Sequence, residues 1–311
     1  MNKSLIIARK EFADAITSKR FWLIIVLFLL LYVANLFIST SLLRMGALSP
    51  TRVMLQTASN VASTMSIMAP ILGIALAFDA ISGERERGTL RTLLSRPIYR
   101  EDVVNGKIVS ALALIGLTIT ASSLLSVSAS ILLQGISVAF DDVVRLLLFI
   151  VISVLFAFAY YSISLFISSF SSKSGHSLMI SLGVWVFFAL ILPILGSLIA
   201  FAVLGGPPTI PFSPGQNATR LVGGLPESYI NYTRKVAEIT NTVQMVSINY
   251  HYSSIANSLF GFVAGPYGQE VSQIDILGLL SQHWVDLLVV VIFPLIFSVA
   301  SYAVFTRRQE K

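Results

Sequence analysis

The chain contains no cysteine, which excludes disulfides, thiolate metal sites and cysteine nucleophiles. It has three histidines, His176, His251 and His283. Their spacing fits no metal-ligand pattern and no HExxH run is present, so no metal site is expected. Charge is scarce: 12% of the 311 residues are charged, against 55% hydrophobic. The acids near the apolar runs, Asp79, Asp141, Asp142 and Asp286, all stand at run ends. Chemistry inside such runs needs paired acids, or a nucleophile with a base, and proton-coupled transport needs an ionisable group at mid-run. Neither is found, so no catalytic residue is assigned. Gly83 and Gly88 have the spacing of a phosphate-binding loop, but Thr89 and Leu90 follow where that loop needs Lys and then Ser or Thr. No nucleotide or other cofactor is expected in this chain.

What remains is apolar sequence in long runs. Six of them approach or exceed the roughly 20 residues a helix needs to cross a bilayer: about 21–43, 61–80, 108–133, 143–170, 178–204 and 285–305. The expected fold is an all-α integral membrane protein with six transmembrane helices, forming one polytopic domain over 1–311. Pro70 with Gly73, and Pro193 with Gly196, are candidate break points. Residues 1–20 read as an amphipathic interfacial helix. Leu5, Ala8, Phe12, Ala13, Ala15 and Ile16 share one side, and Lys3, Lys10, Glu11 and Asp14 the other. Arg9 falls in the apolar sector, from which a long side chain can snorkel to headgroups.

One large hydrophilic insertion, 205–283, precedes the last run. Gly205, Gly206, Pro207, Pro208, Pro211 and Pro214 mark its start as irregular chain. A helix is expected from about Pro226 to Tyr250, an amphipathic piece over Ile255–Val263, and a short helix over Gln269–Ser281. The apolar residues Leu259, Phe260, Phe262, Ile274, Ile276 and Leu277 suggest a segment dipping into the lipid. The Tyr250-His251-Tyr252 cluster, with Tyr229 and Tyr232, reads as an interfacial anchor or an outer gate.

The net charge of +6 could suggest nucleic acid, but its distribution argues for membrane topology and contact with lipid headgroups. With the N-terminus inside, 15 of the 21 Lys and Arg fall in inner segments. Both termini are therefore expected in the cytoplasm, in a plasma-membrane protein whose 205–283 insertion is extracytoplasmic. Two Asn-x-Thr sequons, at Asn217 and Asn231, lie in that insertion as possible glycosylation sites.

The most charged stretch is 78–107, FDAISGERERGTLRTLLSRPIYREDVVNGK, with six of the 21 cationic residues. Leu90, Leu93 and Leu94 fall at i, i+3, i+4 and share a helical face. Pro97 stops the helix by Arg96. The result is a helix of about two turns, roughly 10–12 Å long, between two membrane runs. Its leucines need a partner, because so short a loop cannot cover them. Glu101 and Asp102 favour the start of the following helix. A rigid knob of this kind can transmit a push into the two runs it joins. A solvated loop that only enforces topology is the competing reading.

The run Asp79, Ser82-Gly83-Glu84, Gly88-Thr89-Leu90, Leu93-Leu94-Ser95, Pro97 and Gly106-Lys107 closely resembles the signature loop of exporter-type ABC transporter permeases, the second ABC permease class. That family includes permeases linked to copper-site maturation and gliding motility. Its amphipathic N-terminal helix, six spans and outer segment before the last span resemble the whole chain. The resemblance implies that 82–106 docks into a cleft on a separate ABC ATPase subunit, with Glu84, Gly88, Thr89, Leu90, Leu93, Leu94 and Pro97 as coupling residues. ATP and magnesium would then sit in the partner. Ser171–Ser177 would form a minor contact, and a second permease half, identical or related, would complete the transporter. Family members often carry an acid just after Gly-Thr-Leu; this chain has Arg91 there. A membrane anchor or regulatory scaffold, binding a cytoplasmic partner without moving a substrate, is the alternative.

Overall fold

A computed structural model of the chain describes residues 3–44, 50–90, 99–134, 140–208, 226–260, 262–265, 268–271 and 275–307. Helix α1 covers Lys3–Ile16 and α2 Lys19–Arg44. Then come α3 (Pro50–Ala77), the one-turn α4 (Ser82–Glu86), α5 (Arg100–Gln134) and α6 (Phe140–Phe170). The fifth long segment is α7 (Ser174–Val186), a π-helical turn at Phe187–Ile191, and α8 (Leu192–Leu204). The insertion folds as α9 (Glu227–Gln244), α10 (Ile248–Leu259), a hairpin of β1 (Phe262–Gly265) with β2 (Gly268–Val271), and α11 (Ile276–Gln282). Helix α12 (Trp284–Arg307) ends the described chain. Six helical segments are long and apolar enough to cross a membrane. The protein is an all-α integral membrane protein.

The helices overrun the apolar runs. Helix α3 starts at Pro50, so 50–60, ahead of the apolar run at 61–80, is helical. Proline suits the first turn of a helix, and no breaker follows until Pro70. Helix α5 starts at Arg100, with Glu101 and Asp102 in its first turn. The break expected around Pro193 is a π turn just ahead of it. Proline supplies no N–H and crowds the carbonyl four residues back, and one extra residue in the turn relieves both.

Helix α6 is the central post. It is buried almost continuously from Phe149 to Ser169 and packs against α3 and α12. Its serines let these neighbours come close, and their hydroxyls bond across helices. Ser162 meets Ser298 at 3.0 Å, Ser164 meets Ser181 at 2.9 Å, and Ser153 meets the Tyr252 hydroxyl at 2.9 Å.

The insertion departs from expectation at three places. The helix expected over Pro226–Tyr250 breaks at Gln244, and Ser247 caps the new helix α10 by accepting from the Asn249 N–H at 3.1 Å. The piece expected over Ile255–Val263 ends at Leu259, and Gly268–Val271 forms a strand where a helix was expected. The glycine- and proline-rich joint at 265–268 favours a hairpin over continued helix. Leu259 is fully buried, and Phe260 packs on Phe149 with ring centroids 5.1 Å apart, so both cover α6 and do not face lipid. Tyr252 is also no interfacial anchor: it is fully buried and stacks on Phe156 at 4.1 Å.

Candidate coupling site

All the charged residues that carry the motif lie near one end of the bundle, where α1, α4, the start of α5 and the end of α6 meet. At its middle is Lys107, one to two turns into α5 and almost wholly buried. Its Nζ lies 2.7 Å from Glu84 Oε1 on α4 and 3.1 Å from Glu11 Oε1 on α1. A buried ammonium is tolerated only with such partners. One cation thus binds three elements that lie far apart in sequence.

Glu11 corrects the helical wheel, which put it on the solvent side with Lys3, Lys10 and Asp14. Helix α1 lies along α5, burying Ile7 and Ala8 and leaving Leu5 and Ile6 exposed. The packed face is therefore rotated from the one that hydrophobicity alone selects, because Lys107 draws Glu11 inward. Ser4 adds a hydrogen bond of 2.7 Å to Asp102 on the same joint. The two helices touch at Gly106, where an added Cβ would stand 2.7 Å from Ile7 Cβ and 2.9 Å from the Ser4 carbonyl oxygen. Gly106→Leu is expected to lift α1 away, costing about 1–3 kcal/mol as an overpacked contact. Faster amide exchange confined to residues 3–16 would report it.

The segment around α4 is tied on its other side to α6 and α7. The Ser168 hydroxyl accepts from the Ile81 and Ser82 N–H groups at 3.1 and 2.9 Å. Arg85 donates to the Ser169 carbonyl at 3.1 Å and to the Ser171 carbonyl. Glu86 Oε2 accepts from the backbone N–H and hydroxyl of Ser174 at 3.0 and 2.6 Å, so a side chain of the motif loop caps α7. Asp79 bonds Arg20 at 2.6 Å, joining α2 to the end of α3, and Arg100 donates to the Phe305 carbonyl at 3.1 Å. Ser171–Ser177, the expected minor contact, is helical from Ser174.

The expected coupling residues separate in this geometry. Glu84 is turned inward to Lys107. Leu90 is buried at 2% exposure, so it is not one of the uncovered leucines the sequence suggested: it joins this chain's own core. Gly88, at φ 73°, ends the turn after α4 in the left-handed region that glycine adopts without strain, and Thr89 beside it is exposed. Leu93, Leu94 and Pro97 lie outside the described residues, as does Asn217. Asn231 is exposed on α9.

At the opposite end the structure assembles a cluster that sequence reading left as unrelated residues. His251 Nδ1 stands 2.5 Å from Asp286 Oδ1, and His283 Nδ1 2.7 Å from Asp286 Oδ2. His251 Nε2 stands 2.8 Å from the Met245 carbonyl oxygen. Both nitrogens of His251 thus face acceptors, and only the imidazolium donates to both. The Asp286 carboxylate beside it, helped by the Met245 carbonyl, raises the His251 pKa against the opposing effect of burial. The one local signal was the i, i+3 spacing of His283 and Asp286. Arg145, which bonds Asp141 at 2.8 Å and the Leu259 carbonyl at 2.8 Å, pins the end of α10 nearby. No group of three His, Asp or Glu is placed to hold a metal among the described residues.

Six helices long and apolar enough to cross a membrane, with a charged loop clamped by buried ion pairs at one end, define a multi-pass membrane protein. The profile of the ABC-2 family transporter proteins matches residues 5–309. The chain belongs to that family and is a permease subunit of an ABC transporter. It is similar to the probable ABC transporter permease protein NosY of Stutzerimonas stutzeri, 28% identical over 210 residues, 66% of this chain and 72% of that one. The probable ABC transporter permease protein NosY of Pseudomonas aeruginosa is 32% identical over 208 residues, 64% of this chain and 70% of that one.

Proposed function

We propose that the chain is one half of an ATP-driven exporter. It pairs with a second permease half and recruits a separate ABC ATPase through the segment that starts at Ser82 and runs towards Pro97. Both termini and this segment are cytoplasmic, in the plasma membrane, and the 205–283 insertion lies outside. ATP and magnesium are held by the partner. The observation that carries this reading is the clamping of the α4 segment to α1, α5, α6 and α7 at once, with Arg87, Gly88 and Thr89 left at the surface. Such a segment cannot bend away when pushed, so a displacement applied at its tip passes into four helices together. In this scheme Glu84 and Leu90 position the segment, and Leu93 and Leu94 make the contact.

The test is purification from native membranes in mild detergent, with mass spectrometry of what accompanies the chain. A P-loop ATPase at about equal stoichiometry is expected, and Leu93→Asp with Leu94→Asp should remove it while leaving the permease folded. If no ATPase accompanies the intact chain where other membrane complexes survive, the chain is a scaffold and not a transporter half. An ATPase that stays bound to the double variant places the contact elsewhere.

A further inference from the structure

A cavity of about 680 Å³ lies at the Asp286 end of the bundle, between α3, the π turn, and the inserted helices α9 and α10. Its two sides differ in chemistry. The membrane helices contribute Ile67, Phe188, Ala189, Leu190 and Pro193. The insertion contributes Asn241, Gln244, Asn249, Ser253, Asn257 and Gln282. No Lys, Arg, Asp or Glu lines it among the described residues, and its one titratable imidazole, His283, is already bonded to Asp286.

The walls also hold two aromatic rings. Trp185 lines the cavity from the membrane side and Tyr250 from the insertion. The π turn that forms part of the wall is of the kind that recurs at functional sites.

We infer that this cavity binds an uncharged amphiphile with a hydroxyl-rich head, such as a glycoside. Carboxamides present a donor and an acceptor side by side, which suits neighbouring hydroxyls. Trp185 and Tyr250 offer aromatic surface to the C–H face of a sugar ring. The absence of cationic residues from the lining disfavours phosphorylated or sulfated heads, which need paired positive charge. The apolar side continues onto lipid-facing residues: Ile67 is 50% and Leu190 55% exposed. An alkyl chain can therefore lie along α3 and the π turn while its head sits among the amides. This goes beyond the transporter assignment and does not depend on the ATPase.

The experiment uses the full chain in nanodiscs with Trp22→Phe and Trp284→Phe, so that Trp185 is the only indole. Octyl glucoside is titrated below its critical micelle concentration against octyl sulfate, with free glucose as competitor. A saturable change in Trp185 emission is expected with octyl glucoside and not with octyl sulfate. Its half-saturation should rise at least tenfold in Asn241→Leu and, separately, in Asn257→Leu, each checked for an unchanged melting profile. The inference is overturned if both octyl compounds act alike, since that is partition into the bilayer, or if neither leucine variant shifts the curve. Free glucose competing as well as the octyl compound would remove the tail from the site and overturn the amphiphile assignment.

Discussion

Lys107→Met is expected to destabilise the protein by about 3–5 kcal/mol, the cost of leaving buried carboxylates without their cation. Glu84 and Glu11 both lean on that one ammonium, at 2.7 and 3.1 Å, and the lysine side chain is only 3% exposed. Their own side chains are 14% and 25% exposed, so water cannot take over fully. Glu84 Oε2 already lacks a partner among the described residues. Adding Glu84→Gln and Glu11→Gln to Lys107→Met should recover much of the loss, because three neutral side chains of similar size need no counter-charge. Thermal unfolding of the wild type, the single variant and the triple variant in the same lipid nanodiscs checks this. If the triple variant melts with the single one, the network is not where the energy lies. A second readout separates stability from transmission: in the triple variant the ATPase should still bind, but its turnover should respond less to the permease, since α1, α4 and α5 are no longer locked together.

Asp286→Asn is expected to free α10 from α12 and to do so in a pH-dependent way. The carboxylate accepts from two imidazoles at 2.5 and 2.7 Å. Hydrogen bonds to charged groups contribute about 1.5–3 kcal/mol each, so losing both is expected to cost the variant about 3–6 kcal/mol near pH 6. The sign follows from His251, whose pKa is raised in the fold by Asp286. Its stabilisation is fully present below the ordinary histidine value and is lost as pH rises through the raised one. The gap in melting temperature between wild type and Asp286→Asn should therefore be widest near pH 6 and narrow by pH 9. His251→Gln should show the same narrowing. A gap that widens with pH would mean that His251 is neutral in the fold. Tyr250, whose own pKa is raised by burial and by Asp286, stays neutral through this range and does not confound the comparison.

Much of the bundle was legible because membrane helices are set by local composition. A run of some 20 apolar residues has no other place to go, and its backbone must satisfy itself as a helix. Where the reading failed, the deciding contact was remote. The helical wheel scored Glu11 as a solvent residue, since nothing within α1 reveals a lysine 96 positions away in α5. Leu90 matched Leu93 and Leu94 by periodicity, yet it is buried in the core cluster that several helices share. The hairpin at 262–271 replaced a helix in a stretch whose short apolar segments fit either period.

By itself the sequence determined that six runs are long and apolar enough to cross a membrane, and that 78–107 resembles the signature loop of ABC permeases. These properties sit in contiguous residues. Tertiary structure decided which signature residues turn inward to clamp the loop and which reach the surface. It also brought His251, His283 and Asp286 into one cluster and set the amides of the insertion opposite an apolar wall. Each depends on which distant helices meet, and the charge that a buried residue needs is supplied from across the fold and not from along the chain.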